Sequence, residues 1–323
     1  MAVNTIAFQS NMSANANRGP SDVIWSNCPW NSLVENPELG MTFFDDFNSS
    51  GLTNVDATGG AVRGSSMGWG FYMAQASTGS DQALEGGVLG IGPTTQNRGV
   101  TLIGMTGGFR IITTSTLAYN RALWFEARFA RSSVATTDGD YFVGLCIPAL
   151  SSSLVRANYP ITTTIDTLDS TNGTFLGFHS NQSTGTRGGP TEIAFTFNLA
   201  GGTINYPTGL TTCLGSANIA QTVLAANTFV KVGFMFDPNA INAIVSSATA
   251  RQTLGNTRRK VIRIFVNGVE EPTFLSSDDV QNATAGQAFP TGFMAPCVAV
   301  MPGAGAGARM QIDWIRVAQL GNS

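Results

Sequence analysis

Apolar side chains recur along this chain in short runs, and the runs have the period of strands. In Leu123-Trp124-Phe125-Glu126-Ala127-Arg128-Phe129, the residues Phe125, Ala127 and Phe129 fall on one face. Trp124, Glu126 and Arg128 fall on the other, which is the spacing of a strand with one buried face. From Phe229 to Asp237 the same alternation places Val230, Val232, Phe234 and Phe236 together. Val261 to Val266 runs straight into Asn267-Gly268, a strong two-residue hairpin signal. The closing run, Arg309 to Ala318, is dense in β-formers.

Shorter runs fill the rest. Met41 to Phe47 reads as the first strand, broken by Asn48-Ser49-Ser50-Gly51. Trp69 to Ala74, Val100 to Ile103, Tyr141 to Cys146, Thr174 to His179, Glu192 to Phe197 and Cys297 to Met301 follow. A short helix is expected within Ile241 to Ala250. No repeat of fixed period appears, which argues against a propeller or solenoid. Many short strands and no long helix predict an all-β chain. Fully apolar runs such as Phe71-Tyr72-Met73 need cover on both faces, which two stacked sheets provide.

Residues 1–40 differ in kind, with Asn, Ser, Ala and Pro dominating around Ile24-Trp25 and Pro29-Trp30. This N-terminal arm is expected to dock or oligomerise, with Ile24, Trp25, Pro29 and Trp30 as anchors into a partner. The alternative is an arm folded back on its own sandwich. Residues 41–320 make up the main domain.

Composition narrows the partners. Charged residues are 11% and hydrophobic residues 43%, so the surface is neutral and the core well supplied. The net charge is −3, and Lys231 and Lys260 are the only lysines. Phosphate binding needs clustered cations, so nucleic acid is not expected. No apolar run is long enough to predict a membrane span. The N-terminus lacks a basic and apolar leader, which predicts synthesis in a cytoplasm. Cys28, Cys146, Cys213 and Cys297 show no zinc spacing, and no cofactor is called for.

The series Phe43-Phe44-Asp45-Asp46-Phe47, Trp124 to Phe129, Phe229 to Asp237, Ile262 to Val269 and Gln311 to Val317 resembles the concanavalin A-like lectin/glucanase superfamily. The resemblance implies a two-sheet antiparallel jelly-roll sandwich over residues 41–318. The superfamily includes glycoside hydrolases, lectins and virion structural proteins. Its hydrolase branch carries two or three carboxylates close together on one strand, as retaining chemistry requires. That motif is missing: Glu126 is followed by Ala127 and Arg128, Glu192 by Ile193 and Ala194, and Glu270-Glu271 would point to opposite faces. No catalytic residue carries over, and the chain is expected not to be an enzyme.

Other chemistry is sparse. Asp138-Gly139-Asp140 places alternating oxygens in a turn, a calcium candidate short of the six to eight ligands that calcium takes. His179 is the only histidine, and a lone histidine at the end of an apolar strand is ordinarily structural. Trp69 is the best exposed aromatic candidate for stacking on a glycan, with Tyr72 nearby, whereas Trp124 and Trp314 are expected in the core. Resemblance and composition together predict a non-enzymatic virion protein, a capsid decoration or head-surface component of a tailed bacteriophage. Its partners would be the major capsid protein or other virion proteins, with a dimer or trimer expected. A carbohydrate-binding module, contacting host-surface glycans, is the alternative.

Overall fold

The structure is a computed structural model, and it describes residues 18–47, 56–57, 63–64, 69–73, 77–78, 82–84, 87–92, 99–104, 108–111, 121–135, 139–147, 173–180, 191–199, 224–238, 260–276, 280, 289–303 and 309–321. The expected helix within Ile241 to Ala250 lies outside them. Two short helices, α1 (Asp22–Trp25) and α2 (Trp30–Glu35), and a 3-10 turn (Pro37–Leu39) lead into the strands. In order these are β1 (Gly40–Asp45), β2 (Asp56–Ala57), β3 (Arg63–Gly64), β4 (Trp69–Met73), β5 (Ser77–Thr78) and β6 (Gln82–Leu84). Then come β7 (Val88–Ile91), β8 (Val100–Gly104), β9 (Leu123–Arg131), β10 (Asp140–Cys146), β11 (Phe175–Ser180) and β12 (Ala194–Asn198). The last five are β13 (Val230–Phe236), β14 (Lys260–Val266), β15 (Val269–Ser276), β16 (Ala295–Met301) and β17 (Met310–Leu320).

The strands form two large antiparallel sheets. One has eight strands in the order β15-β14-β13-β9-β17-β7-β6, with β1 also paired to β17. The other has seven, in the order β12-β11-β10-β16-β8-β4-β3. The fold class expected from the sequence is the one found: an all-β, two-sheet antiparallel sandwich. Its core is the space between the sheets. Phe125, Ala127, Phe129, Val232, Phe234 and Val317 come from one side, and Tyr141, Val143, Leu176, Phe178, Phe195 and Val298 from the other. Phe125 stacks on Phe234 at 5.0 Å between ring centroids, and Phe195 meets Phe234 edge-on at 5.5 Å.

Local chemistry explains the connections. Between β14 and β15, Asn267 (φ 51°) and Gly268 (φ 79°) both take the left-handed conformation that a two-residue primed turn demands. β17 forms the seam of the eight-stranded sheet. It pairs with β9 along most of its length, with β7 at one end and with β1 at the other. The closing run of the sequence therefore ties the first strand to the middle of the sheet.

One expectation from the pattern needs correction. The face of β9 carrying Trp124, Glu126 and Arg128 is not solvated; every residue of β9 is buried. Alternation reports which residues share a face, and nothing in it says what covers that face. The cover is the segment 18–39, called the strap below.

Candidate functional site

The outer face of the eight-stranded sheet is built by alternate positions of its central strands. β9 presents Trp124, Glu126 and Arg128, and β13 sets Lys231, Gly233 and Met235 opposite Arg128, Glu126 and Trp124. β17 adds Arg316 opposite Glu126 and Ala318 opposite Trp124. Ile24, Trp25, Cys28 and Leu33 of the strap form one buried cluster with Trp124, Met235, Phe265 and Ala318. Burying a side chain such as Ile24 or Leu33 contributes about 1.5–3 kcal/mol each. The approach is close at Gly233, where a Cβ would collide with Ile24 Cδ1.

Polar contacts fix the register of the strap. Glu126 accepts from Ser21 N–H at 2.9 Å, from Ser21 Oγ–H at 2.5 Å and from Trp25 Nε1–H at 2.7 Å. Burial pushes its carboxyl up from the usual range, while these donors and the Lys231 charge oppose the shift. Lys231 is pushed the other way, down, again chiefly by burial; its Nζ donates to Gly19 C=O at 3.1 Å. Asp313, fully buried, takes Arg128 and Arg18, the latter through Nη2 at 2.6 Å. Trp314 Nε1–H donates to Arg18 C=O at 2.6 Å. The Arg316 guanidinium lies over the rings of Trp25 at 4.2 Å and Trp30 at 3.8 Å, and the two rings meet edge-on at 5.5 Å. Burial lowers the Arg316 pKa to about 10 and raises that of the neighbouring Cys28 thiol to about 12.

The structure thus separates the four arm residues. Ile24 and Trp25 are buried against the chain's own sheet, Trp30 is half-buried over Arg316, and Pro29 is exposed. The fold-back arrangement accounts for residues 18–39. Glu126 and Arg128 were noted in the sequence only as the wrong pattern for a hydrolase. Their role as the seat of the strap had one signal, alternating charges on a strand face with no obvious charged counterpart.

The candidates for ligand chemistry scatter. Trp69, expected at the surface, is fully buried in the core. Its indole N–H donates to Asp45 Oδ2 at 2.6 Å and its ring packs against Phe43 and Phe47. A buried tryptophan is satisfied once its N–H finds an acceptor, and Asp45 supplies it. Tyr72 lies in β4, in register with Thr101 of β8. Asp138 lies outside the described residues, and Asp140 is buried at the start of β10. Among the described residues no three His, Cys, Asp or Glu side chains gather to hold a metal ion. No described helix is long and apolar enough to cross a membrane.

His179 is buried in β11, and neither ring nitrogen finds a hydrogen bond. Burial, and the charge of Arg131, lower its pKa to about 3. Beside it Arg131 donates to Ser180 Oγ at 2.8 Å and lies over the Tyr141 ring at 4.2 Å. The space lined by Phe129, Tyr141, Phe178 and His179 has no room for a water molecule. The outer face of the seven-stranded sheet is closed too: Ile103, Phe142, Cys146, Phe175, Cys297 and Ala299 form a buried apolar cluster there. Cys146 and Cys297 are free thiols lying against each other within it.

Two antiparallel sheets of eight and seven strands packed face to face define a two-sheet β-sandwich as the class of fold. The chain matches no protein-family model and no curated protein sequence. Among solved structures it is similar to a peanut lectin with a bound nine-residue peptide, at 12% identity and a TM-score of 0.47, covering 88% of this chain and 99% of that one. An endo-1,3-beta-glucanase from Streptomyces sioyaensis is similar at 16% identity and a TM-score of 0.46, covering 89% and 99%. A lectin from Bauhinia forficata in complex with GalNAc follows at 9% and 0.45, covering 88% and 100%. At these TM-scores the likenesses carry no argument about activity, and the architecture stands on the sheets themselves.

Proposed function

We propose that the chain is a non-enzymatic structural protein of a virion, a decoration or head-surface component of a tailed-phage capsid that works by docking. The supporting observation is where its exposed apolar side chains lie. Among the described residues the large exposed hydrophobics are Val23, Val34, Leu39, Met41, Phe44, Val269 and Phe293. Five of these seven fall between residues 23 and 44, on the strap and β1, although surface hydrophobics scattered singly are the ordinary state. The docking surface of this reading is therefore the outside of the docked strap and β1, with Pro29 and the open side of Trp30, and Ile24 and Trp25 act from beneath by holding it in place.

The described carboxylates give no support to hydrolysis. Glu126 is saturated by three donors and Asp313 by two arginines, both under the strap. A hydrolase needs two carboxyls converging on an open cleft.

Cryo-electron microscopy of the native assembly containing this chain tests the proposal. Density for the chain as regular oligomers on a shell, with the strap and β1 facing the layer beneath, is the expected result. A free monomer with an ordered sugar in a cleft would overturn it in favour of the carbohydrate-binding alternative.

A further inference from the structure

Among the described residues, β1 is an edge with its main chain open on one side. Gly321 N–H donates to Leu39 C=O at 2.5 Å, so Leu39 and Gly321 are a hydrogen-bonded pair. The β1–β17 register runs from Gly40 opposite Leu320 to Asp45 opposite Ile315. Bonded and non-bonded pairs alternate in an antiparallel ladder. Met41, Phe43 and Asp45 therefore spend their amides on β17, and Thr42 and Phe44 point theirs away from it. β17 is the one strand paired with β1 among the described residues. Edges left open in this way are ordinarily blunted by lysine or proline; Gly40-Met41-Thr42-Phe43-Phe44-Asp45 has neither. Its side chains are apolar and open, with Met41 37%, Phe44 47% and the adjoining Leu39 48% exposed.

The segment that carries the edge brings only carboxylates, and the cation in register with it, Arg316 opposite Phe44 on β17, lies over the rings of Trp25 and Trp30. No lysine or arginine lies between Arg18 and Arg63, while Asp22, Glu35, Glu38, Asp45 and Asp46 all do. Glu38 sits at one end of β1, and Asp45 and Asp46 sit at the other. Antiparallel pairing of two copies of this edge would bring Glu38 of each toward Asp46 of the other, and like charges facing across an interface are costly. A second copy is therefore a poor occupant.

We propose that the β1 edge is a docking site for an extended segment of a different protein, an apolar strand with lysines or arginines at its flanks, added by main-chain pairing to Thr42 and Phe44. This deepens the docking reading by naming the partner's chemistry.

The test uses the purified full chain and two synthetic peptides, each an alternating valine–threonine core, one flanked by lysines and one by glutamates. In the free chain the Thr42 and Phe44 amides exchange with solvent faster than those of Met41 and Phe43. The lysine-flanked peptide slows exchange at Thr42 and Phe44 and binds at least about tenfold more tightly than the glutamate-flanked one. Thr42→Pro, which deletes an outward N–H that no described residue uses, abolishes that binding, and Thr42→Val does not. Phe44→Lys, at an exposed position, weakens it. Equal binding of the two peptides, or amides of Thr42 and Phe44 already protected in the free chain, would overturn the proposal. The outcome separates from that of the virion reading. A chain seated on a shell with these two amides still open refutes the edge and leaves docking standing. Peptide binding as stated by a chain that sits on no shell does the reverse.

Discussion

Glu126→Ala removes the acceptor of three strap donors at once: Ser21 N–H, Ser21 Oγ–H and Trp25 Nε1–H. A hydrogen bond to a charged group contributes about 1.5–3 kcal/mol net, so three would suggest roughly 5–9 kcal/mol. Two effects reduce that figure. The substitution also relieves the cost of burying the carboxylate, which is several kcal/mol. The strap can also lift, returning its donors to water, so the loss cannot exceed the free energy of docking it. Breaking a buried charged partnership from one side costs about 3–5 kcal/mol, and the expected loss for Glu126→Ala is about 3–4 kcal/mol. Glu126→Gln keeps the volume and one accepting oxygen but turns an NH2 toward the donors, and should cost about 1–2 kcal/mol. Denaturant unfolding gives the totals, and exchange of the Trp25 indole proton shows whether the strap is what has loosened. If Glu126→Ala cost less than about 1 kcal/mol with the Trp25 indole still protected, the polar network would not be what holds the strap.

Arg316→Ala should cost about 1–2 kcal/mol, since it removes the cation that lies over the rings of Trp25 and Trp30; a shift in tryptophan emission together with a lower denaturant midpoint would check it. Gly144→Ala should be among the most damaging single changes, about 3 kcal/mol or more, because its Cβ would meet the Leu176 carbonyl and Gly177 Cα on the neighbouring strand rather than a movable side chain. A thermal melt that left the midpoint unchanged would contradict that geometry. His179 makes the fold acid-sensitive. Its folded pKa of about 3 lies below the ordinary value of 6.5, so the unfolded chain takes up the proton first. Its contribution is present above pH 6.5 and is lost as pH falls toward 3, by up to about 5 kcal/mol. His179→Leu should flatten that limb of a stability-against-pH curve, and a parallel loss in both proteins would refute the assignment.

Much of the sandwich was legible because its strands carry their own period. Phe125, Ala127 and Phe129 face the core as their spacing required, and Asn267-Gly268 turns where a two-residue hairpin needs left-handed residues. The strap was not legible in the same way. Its contacts with β9 join Ser21 and Trp25 to Glu126 across about a hundred residues, and no local period encodes a contact of that range. Trp69 misled for a related reason: its place just after Met67-Gly68 suggested exposure, but Asp45, 24 residues upstream, accepts its N–H. The arm's aromatics looked like anchors and are anchors for Trp25, though into its own sheet.

The seam at β17 imposes an order on synthesis. Arg18 and its acceptor Asp313 stand 295 residues apart in the chain, and β1 pairs with a strand that ends at Leu320. A ribosome adding about 5–20 residues per second needs roughly 15–60 seconds to cover that distance. Throughout that interval the first strand and the strap have been made, yet their seat does not exist. The nascent chain must keep Trp25, Trp30 and β1 from other partners until β17 emerges. The residues of β17 are thus the ones that let the strap and β1 settle.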